Sequence, residues 1–238
     1  MRISTALSTS IALVASSALL TASASAESRP VRGPLPTAPS LKDGSWTAHI
    51  AAPIVARARA GAGARMKLPG YTQWTLAPTA YMVVDAKDVG ATRWVRIQLP
   101  KRPNGRTAWV PEEQVMLKRT RTWIRVSTAR RRVEVYVAGQ RRRTFVASVG
   151  TGGTPTPKGR FAIYDAVPTS GPLGPKILVL TAHSNVLQTF MGGNGVVGIH
   201  GWPSTVGQAA SHGCVRLSKT GVAALSRFAV PGTPVEIV

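Results

Sequence analysis

The chain has 238 residues, a formal net charge of +21 and a single cysteine. That length holds one large domain or two small ones with a full core, and one thiol excludes an internal disulfide framework. So strong a positive balance calls for an anionic environment.

Residues 1–26 read as a secretory signal. Arg2 gives a minimal positive start, Ile11–Leu20 an apolar core, and Ala22-Ser23-Ala24-Ser25-Ala26 a small-residue cleavage pattern. The mature protein is therefore expected to be secreted, extracytoplasmic and cell-wall associated, with no transmembrane segment. A free thiol outside the cytoplasm risks oxidation, so its presence argues for use. Residues 27–45, with Pro30, Pro34, Pro36 and Pro39, read as an extended linker. Residues 46–118 read as a small β domain. Val95, Ile97 and Leu99 alternate with Trp94, Arg96 and Gln98, Pro103-Asn104-Gly105 supplies a turn, and Thr107–Val110 the next strand. The runs W-V-R-I-Q-L and P-N-G-R-T-A-W-V-P resemble the bacterial SH3-like domains that accompany cell-wall enzymes.

Residues 120–238 read as a second, mostly-β unit with one short helix. Strands are expected over Trp123–Val126, Val133–Val137, Thr144–Val149, Arg160–Tyr164 and Val196–Ile199. Ser218 is the expected N-cap of a helix carrying Val222, Leu225 and Phe228, and Val235–Val238 a closing strand. A turn at Ala138-Gly139-Gln140 puts Arg141–Arg143 beside it and Arg130–Arg132 nearly 20 Å away, at roughly 3.3 Å per residue. The two runs form a dispersed basic face. With no zinc spacing and no RNA-type aromatic signature, nucleic acid is not an expected partner. The loop G-T-G-G-T-P-T-P-K-G, residues 150–159, does not match the lysine and Ser/Thr order of a P-loop and reads as a rigid wide turn. Residues 167–195, with many Gly, Pro and Ser, read as a candidate lid.

The chemistry concentrates in residues 199–217, I-H-G-W-P-S-T-V-G-Q-A-A-S-H-G-C-V-R-L. A thiol with an ordinary pKa of about 8.5 needs a base near neutral pH. His200, at the end of an apolar strand, is the expected base for Cys214; His212 lies only two residues away and reads as a pocket wall. The competing reading of Cys214 is a buried structural thiol. Gly213 permits a close backbone approach, and the N–H groups around His212, Gly213 and Cys214 are candidates to face an oxyanion. Arg216 shares a strand face with Cys214. Two readings of it stay open: a clamp on a substrate carboxylate, or a loop anchor through a salt bridge. His183, in T-A-H-S-N, either lines the site or is a surface or structural histidine. His200, His212 and Cys214 number enough for a metal, but their Ser-Gly context favours covalent chemistry, so no metal and no cofactor is expected.

Together, S-H-G-C-V-R-L, the upstream I-H-G and V-G-T-G-G-T-P-T-P-K-G-R-F resemble the L,D-transpeptidase catalytic (YkuD-type) domain over roughly residues 122–238. The resemblance implies a mainly-β fold and cysteine-dependent acyl transfer on peptidoglycan stem peptides. Cys214 is then the nucleophile and His200 the general base and acid. No Asp or Glu lies between Asp165 and Glu236, and in this family a backbone carbonyl, that of Gly201 here, holds the histidine tautomer. Gly213 and His212 go with the catalytic turn, and Ser211, Arg216, Trp202 and His183 are candidates for substrate binding. Trp202 stands where the family often has a small hydroxyl residue, and the ten residues 201–210 make a shorter loop than the family pattern. The expected reaction is 3→3 crosslinking through a Cys214 thioester, by a monomer whose basic surface meets anionic cell-wall polymers. Its rivals are an L,D-carboxypeptidase, a sortase-like transpeptidase and a non-catalytic wall-binding module.

Overall fold

The computed structural model describes residues 33–34 and 36–238. The leader expected over 1–26 lies outside the described residues, as do positions 27–32 and 35 of the linker. The N-terminal sheet comprises β1 (Ser45–Ile50), β2 (Ile54–Arg59), β3 (Ala62–Leu68), β4 (Thr79–Val89), β5 (Thr92–Gln98), β6 (Thr107–Pro111) and β7 (Met116–Thr120). Their order is β3-β2-β6-β5-β4-β1-β7, and every neighbouring pair is antiparallel. Tyr81, Val83, Val95, Ile97, Leu99 and Val110 are buried in one core. Each large apolar side chain removed from water there contributes about 1.5–3 kcal/mol.

The rest of the chain forms β8 (Thr122–Ser127), β9 (Arg132–Val137), β10 (Gln140–Val146), β11 (Val149–Gly150), β12 (Gly159–Pro168), β13 (Lys176–His183) and β14 (Val196–Gly201). Then come β15 (Ala209–Ser211), β16 (Val215–Leu217), the helix α1 (Lys219–Leu225) and β17 (Pro234–Ile237). Eight strands join as β10-β9-β8-β17-β12-β13-β14-β16, and β11 pairs with β15 separately. The β9–β10 hairpin turns at Ala138 and Gly139, both at positive φ (52° and 78°), the geometry of a tight two-residue hairpin. Ser218 caps α1, its Oγ accepting from Gly221 N–H at 3.0 Å, and Val222 and Leu225 are fully buried against the sheet.

One feature differs from expectation. The segment 167–195, read as one lid, is divided by β13, an interior strand between β12 and β14. Leu178, Val179 and Leu180 are buried in succession, so this apolar run is covered on both faces, as interior strands are. The connections 169–175 and 184–195 remain outside the sheet. The closing strand expected over Val235–Val238 is β17, and it lies in the sheet interior, parallel to β8 and antiparallel to β12.

The two sheets meet through buried polar bonds as well as apolar packing. Tyr164 of β12 sits in the N-terminal core with Tyr81. Gln98 donates to the Arg160 carbonyl at 2.7 Å and accepts from Thr181 Oγ1 at 2.9 Å. Asp165, itself buried, accepts from Thr75 Oγ1 at 2.7 Å and from its N–H at 3.3 Å.

Candidate active site

Strands β14 and β16 run parallel, with His200 opposite Arg216, Ile199 opposite Val215 and Gly201 opposite Leu217. Ile199, Val215 and Leu217 are fully buried in the core. Strand side chains alternate faces, so His200 and Arg216 stand together on the other face, and Cys214, two residues before Arg216, follows them. The Sγ of Cys214 accepts from the Gly198 N–H at 3.5 Å. His200, Cys214, Arg216 and Trp202 line one cavity of about 460 Å³, with Phe190 and Met191 on another wall.

His200 Nδ1 lies 2.8 Å from the Gly201 carbonyl. A carbonyl oxygen can only accept, so Nδ1 carries the proton and Nε2 keeps its lone pair. Burial holds the pKa of His200 below its ordinary 6.5; the Arg216 charge lowers it further, and the Gly201 carbonyl partly offsets both. Burial pushes the Cys214 thiol up, against a smaller opposing pull from the Gly198 N–H and Arg216. Both shifts favour uncharged forms, so the resting pair at neutral pH is a thiol beside a neutral imidazole.

The turn before Cys214 is tightly made. Ser211 Oγ donates to the Cys214 carbonyl at 2.5 Å and accepts from the Gly213 N–H at 3.1 Å. Gly213 takes φ of 115°, a conformation that favours glycine. With its N–H bonded to Ser211, the N–H groups of His212 and Cys214 are the turn's unbonded donors among the described residues. The wide turn at 150–159 supports this turn from below: Thr151 N–H and Thr154 Oγ1 both donate to the Ser211 carbonyl, at 3.0 and 3.1 Å. That supporting role was not visible in its composition.

The remaining expected residues divide. Arg216 donates to the Ala210 carbonyl at 3.0 Å, and its guanidinium lies 5.4 Å from the centre of the Trp202 ring. It makes no salt bridge among the described residues. His212 is exposed and stacks on Phe190, ring centres 5.0 Å apart. His183 is buried at the end of β13, Nε2 3.4 Å from Asn194 Nδ2, and lines a second cavity of about 290 Å³ with Tyr81, Tyr164 and Asn194. Val196 borders both cavities. Phe190, Met191, Pro172 and Leu173 also line the first cavity; sequence reading placed them in a candidate lid but singled out none of them.

Residues 121–237 match the family model of the L,D-transpeptidase catalytic domain. That stretch holds the whole C-terminal sheet, from β8 to β17. A curated relative, the putative L,D-transpeptidase YkuD of Bacillus licheniformis, is 32% identical over 117 residues, which are 48% of this chain and 64% of that protein. Among solved structures, L,D-transpeptidase 3 from Mycobacterium tuberculosis, in complex with a faropenem-derived adduct, is 13% identical with a TM-score of 0.43. That match covers 67% of this chain and 90% of the other. LD transpeptidase LdtMt1 in complex with imipenem is 19% identical, with a TM-score of 0.40 over 71% of this chain and 77% of the other. The strand pair and turn described above lie within the matched residues 121–237. Among the described residues no helix is long and apolar enough to cross a membrane.

Proposed function

We propose that this protein is an extracytoplasmic L,D-transpeptidase that forms 3→3 crosslinks between peptidoglycan stem peptides through a thioester on Cys214. The observation that carries the reading is the Nδ1–H···O=C bond from His200 to Gly201, 2.8 Å long, in the cavity that also holds Cys214. It leaves Nε2 as a base in the same enclosure as a thiol that burial keeps protonated. Such a pair reacts by general-base catalysis and has no need of a preformed ion pair.

In the first half-reaction the Cys214 sulfur attacks the carbonyl of the third stem residue while His200 Nε2 takes the thiol proton. The negative charge that develops on the carbonyl oxygen is met by the N–H groups of His212 and Cys214, the donors the turn leaves unbonded. Losing one such donor typically costs about 2.7–4 kcal/mol of transition-state stabilisation. The imidazolium then protonates the departing D-alanine nitrogen, the C–N bond breaks, and a thioester remains. In the second half, the side-chain amine of a neighbouring stem gives a proton to His200 and attacks the thioester carbonyl. The new amide forms, the sulfur leaves, and the proton on His200 returns to it. Arg216, tied to the Ala210 carbonyl and stacked on Trp202, orders the loop after His200 and places positive charge near the sulfur as it becomes negative. The ten-residue loop and Trp202 shape the pocket on that side. The basic surface keeps the enzyme against anionic wall polymers.

Intact-mass measurement after incubation with a carbapenem, imipenem, tests the nucleophile and the class together. One covalent adduct is expected on Cys214, and none on a Cys214→Ala variant. With stem peptides, crosslinked dimers are expected from the wild type; D-alanine release without dimers identifies an L,D-carboxypeptidase instead. An adduct that persists in the Cys214→Ala variant overturns the assignment of the thiol.

A further inference from the structure

The wall of the active-site cavity that carries Phe190 and Met191 belongs to the connection 184–195, between β13 and β14. At its tip Phe190 and Gly193 exchange backbone hydrogen bonds of 3.0 and 2.9 Å around Met191 and Gly192, which both take positive φ, as in a two-residue hairpin turn. Met191 is 92% exposed and Phe190 39%, so the tip has little core of its own to hold it in place. Apart from the stack of Phe190 on His212, it is held at the neck, where the Ser184 N–H donates to the Gly195 carbonyl at 2.8 Å.

Into that neck reaches Arg102, from the turn between β5 and β6 of the other sheet. Its guanidinium donates to three carbonyls of the connection: Ser184 at 2.5 Å, Leu187 at 2.9 Å and Asn194 at 3.1 Å. Two residues on, Asn104 pairs with the backbone of His183 as a neighbouring strand would, accepting from its N–H and donating to its C=O, both at 2.8 Å. Asn104 also donates to Asn185 Oδ1 at 3.1 Å. Gly195 lets the neck close around the guanidinium: at φ of 70°, a Cβ there would lie 2.1 Å from the Leu187 oxygen and 2.8 Å from an Arg102 nitrogen. A planar fork of charged donors can serve three carbonyls at once, which the point charge of a lysine cannot.

We propose that Arg102 is a positioning residue for the transpeptidase site: it closes the neck of 184–195 from the N-terminal sheet and so fixes Phe190 and Met191 as a wall of the cavity beside Cys214. The N-terminal sheet is then a working part of the active site. The inference rests on reading that cavity as the active site.

The test uses the full chain with Arg102→Ala and Arg102→Lys. Backbone amide exchange over 185–194 is expected to quicken about tenfold or more in both, since opening would no longer break three charge-assisted bonds. The kcat/KM for a stem peptide should fall at least about tenfold, mainly through KM, because a wall displaced by an ångström misplaces the substrate. Alkylation of Cys214 by iodoacetamide, which needs no such wall, should stay within about twofold of wild type. Lysine should not rescue. If the Arg102 variants fail to fold, Gly195→Ala keeps Arg102 but blocks the neck, and it should show the same exchange and KM changes. Unchanged exchange over 185–194, or faster exchange with kcat/KM within about twofold of wild type, overturns the proposal. A wild-type protein that acquires no adduct on Cys214 refutes the functional reading instead, and the exchange comparison still judges the brace.

Discussion

The two sheets of this molecule are paired by different rules. In the N-terminal sheet every strand runs antiparallel to its neighbours. The C-terminal sheet contains two parallel contacts, β8 with β17 and β14 with β16. Antiparallel neighbours can be joined by a tight turn, whereas parallel neighbours need a connection that leaves the sheet and returns. At β14–β16 that returning connection is residues 202–214, and it delivers Cys214 to the side of His200. The proposed chemistry therefore sits where the chain comes back in the same direction, and the proposed role of the antiparallel sheet is support.

If that division holds, the most damaging changes fall on the parallel pair. His200→Ala should lower the crosslinking rate by about 10²–10⁴-fold, the usual worth of a positioned general base, with Cys214 still open to alkylation. In the wild type, the acylation rate should fall with acid only below pH 6.5, because the His200 pKa lies below that value; a midpoint above 6.5 would break the assignment of His200 as an uncharged base. Core truncations compare the sheets directly. Phe161→Ala in β12 should cost about 3–5 kcal/mol and Ile97→Ala in β5 about 2–5 kcal/mol, and both residues are buried. Chemical denaturation followed by fluorescence reads both, and separate transitions would show that the sheets unfold independently.

The bonds between the sheets should give a smaller effect. Gln98→Ala removes the acceptor of the Thr181 hydroxyl, which keeps its bond from the Ala162 N–H, and a donor to the Arg160 carbonyl, and a buried group left unpaired costs about 1–3 kcal/mol. Loss of stability without loss of kcat is expected, measured on the same preparation. The mildest prediction concerns pH. Burial depresses the pKa values of His49, His183 and His200 below 6.5. Between 6.5 and the lower folded values the unfolded chain binds more protons, so this stability is present above pH 6.5 and is lost as pH falls. The Tm should decline from pH 7 to 5, and the decline should be shallower in a His183→Gln variant.

Much of the C-terminal sheet was legible because its strands are local. Alternation in β8 and β9, the Ser218 cap and the apolar run into His200 each depend on a few neighbouring residues. The turn before Cys214 was legible for a similar reason: Ser211, Gly213 and Cys214 make their bonds to one another. What escaped was set by pairing at long range. Ile177–Leu180 reads the same in a lid as in an interior strand until its neighbours are known. Nothing near Arg102 or Asn104 in the sequence points to a connection some eighty residues away. The fate of Arg216 turned on Ala210 and Trp202, whose positions follow from how the shortened loop closes.

The interior place of β17 bears on how the protein is made. Arg125 of β8 and Glu236 of β17 are ion-paired across 111 positions of sequence. A nascent chain that has not yet released residues 234–237 holds β8 to β10 on one side and β12 to β14 on the other, with nothing between them. Each fragment then presents a bare strand edge, and such edges pair readily with those of other unfinished chains. The sheet that carries the thiol can close only after synthesis has passed it entirely, so the yield of active protein depends on keeping those two edges apart until then.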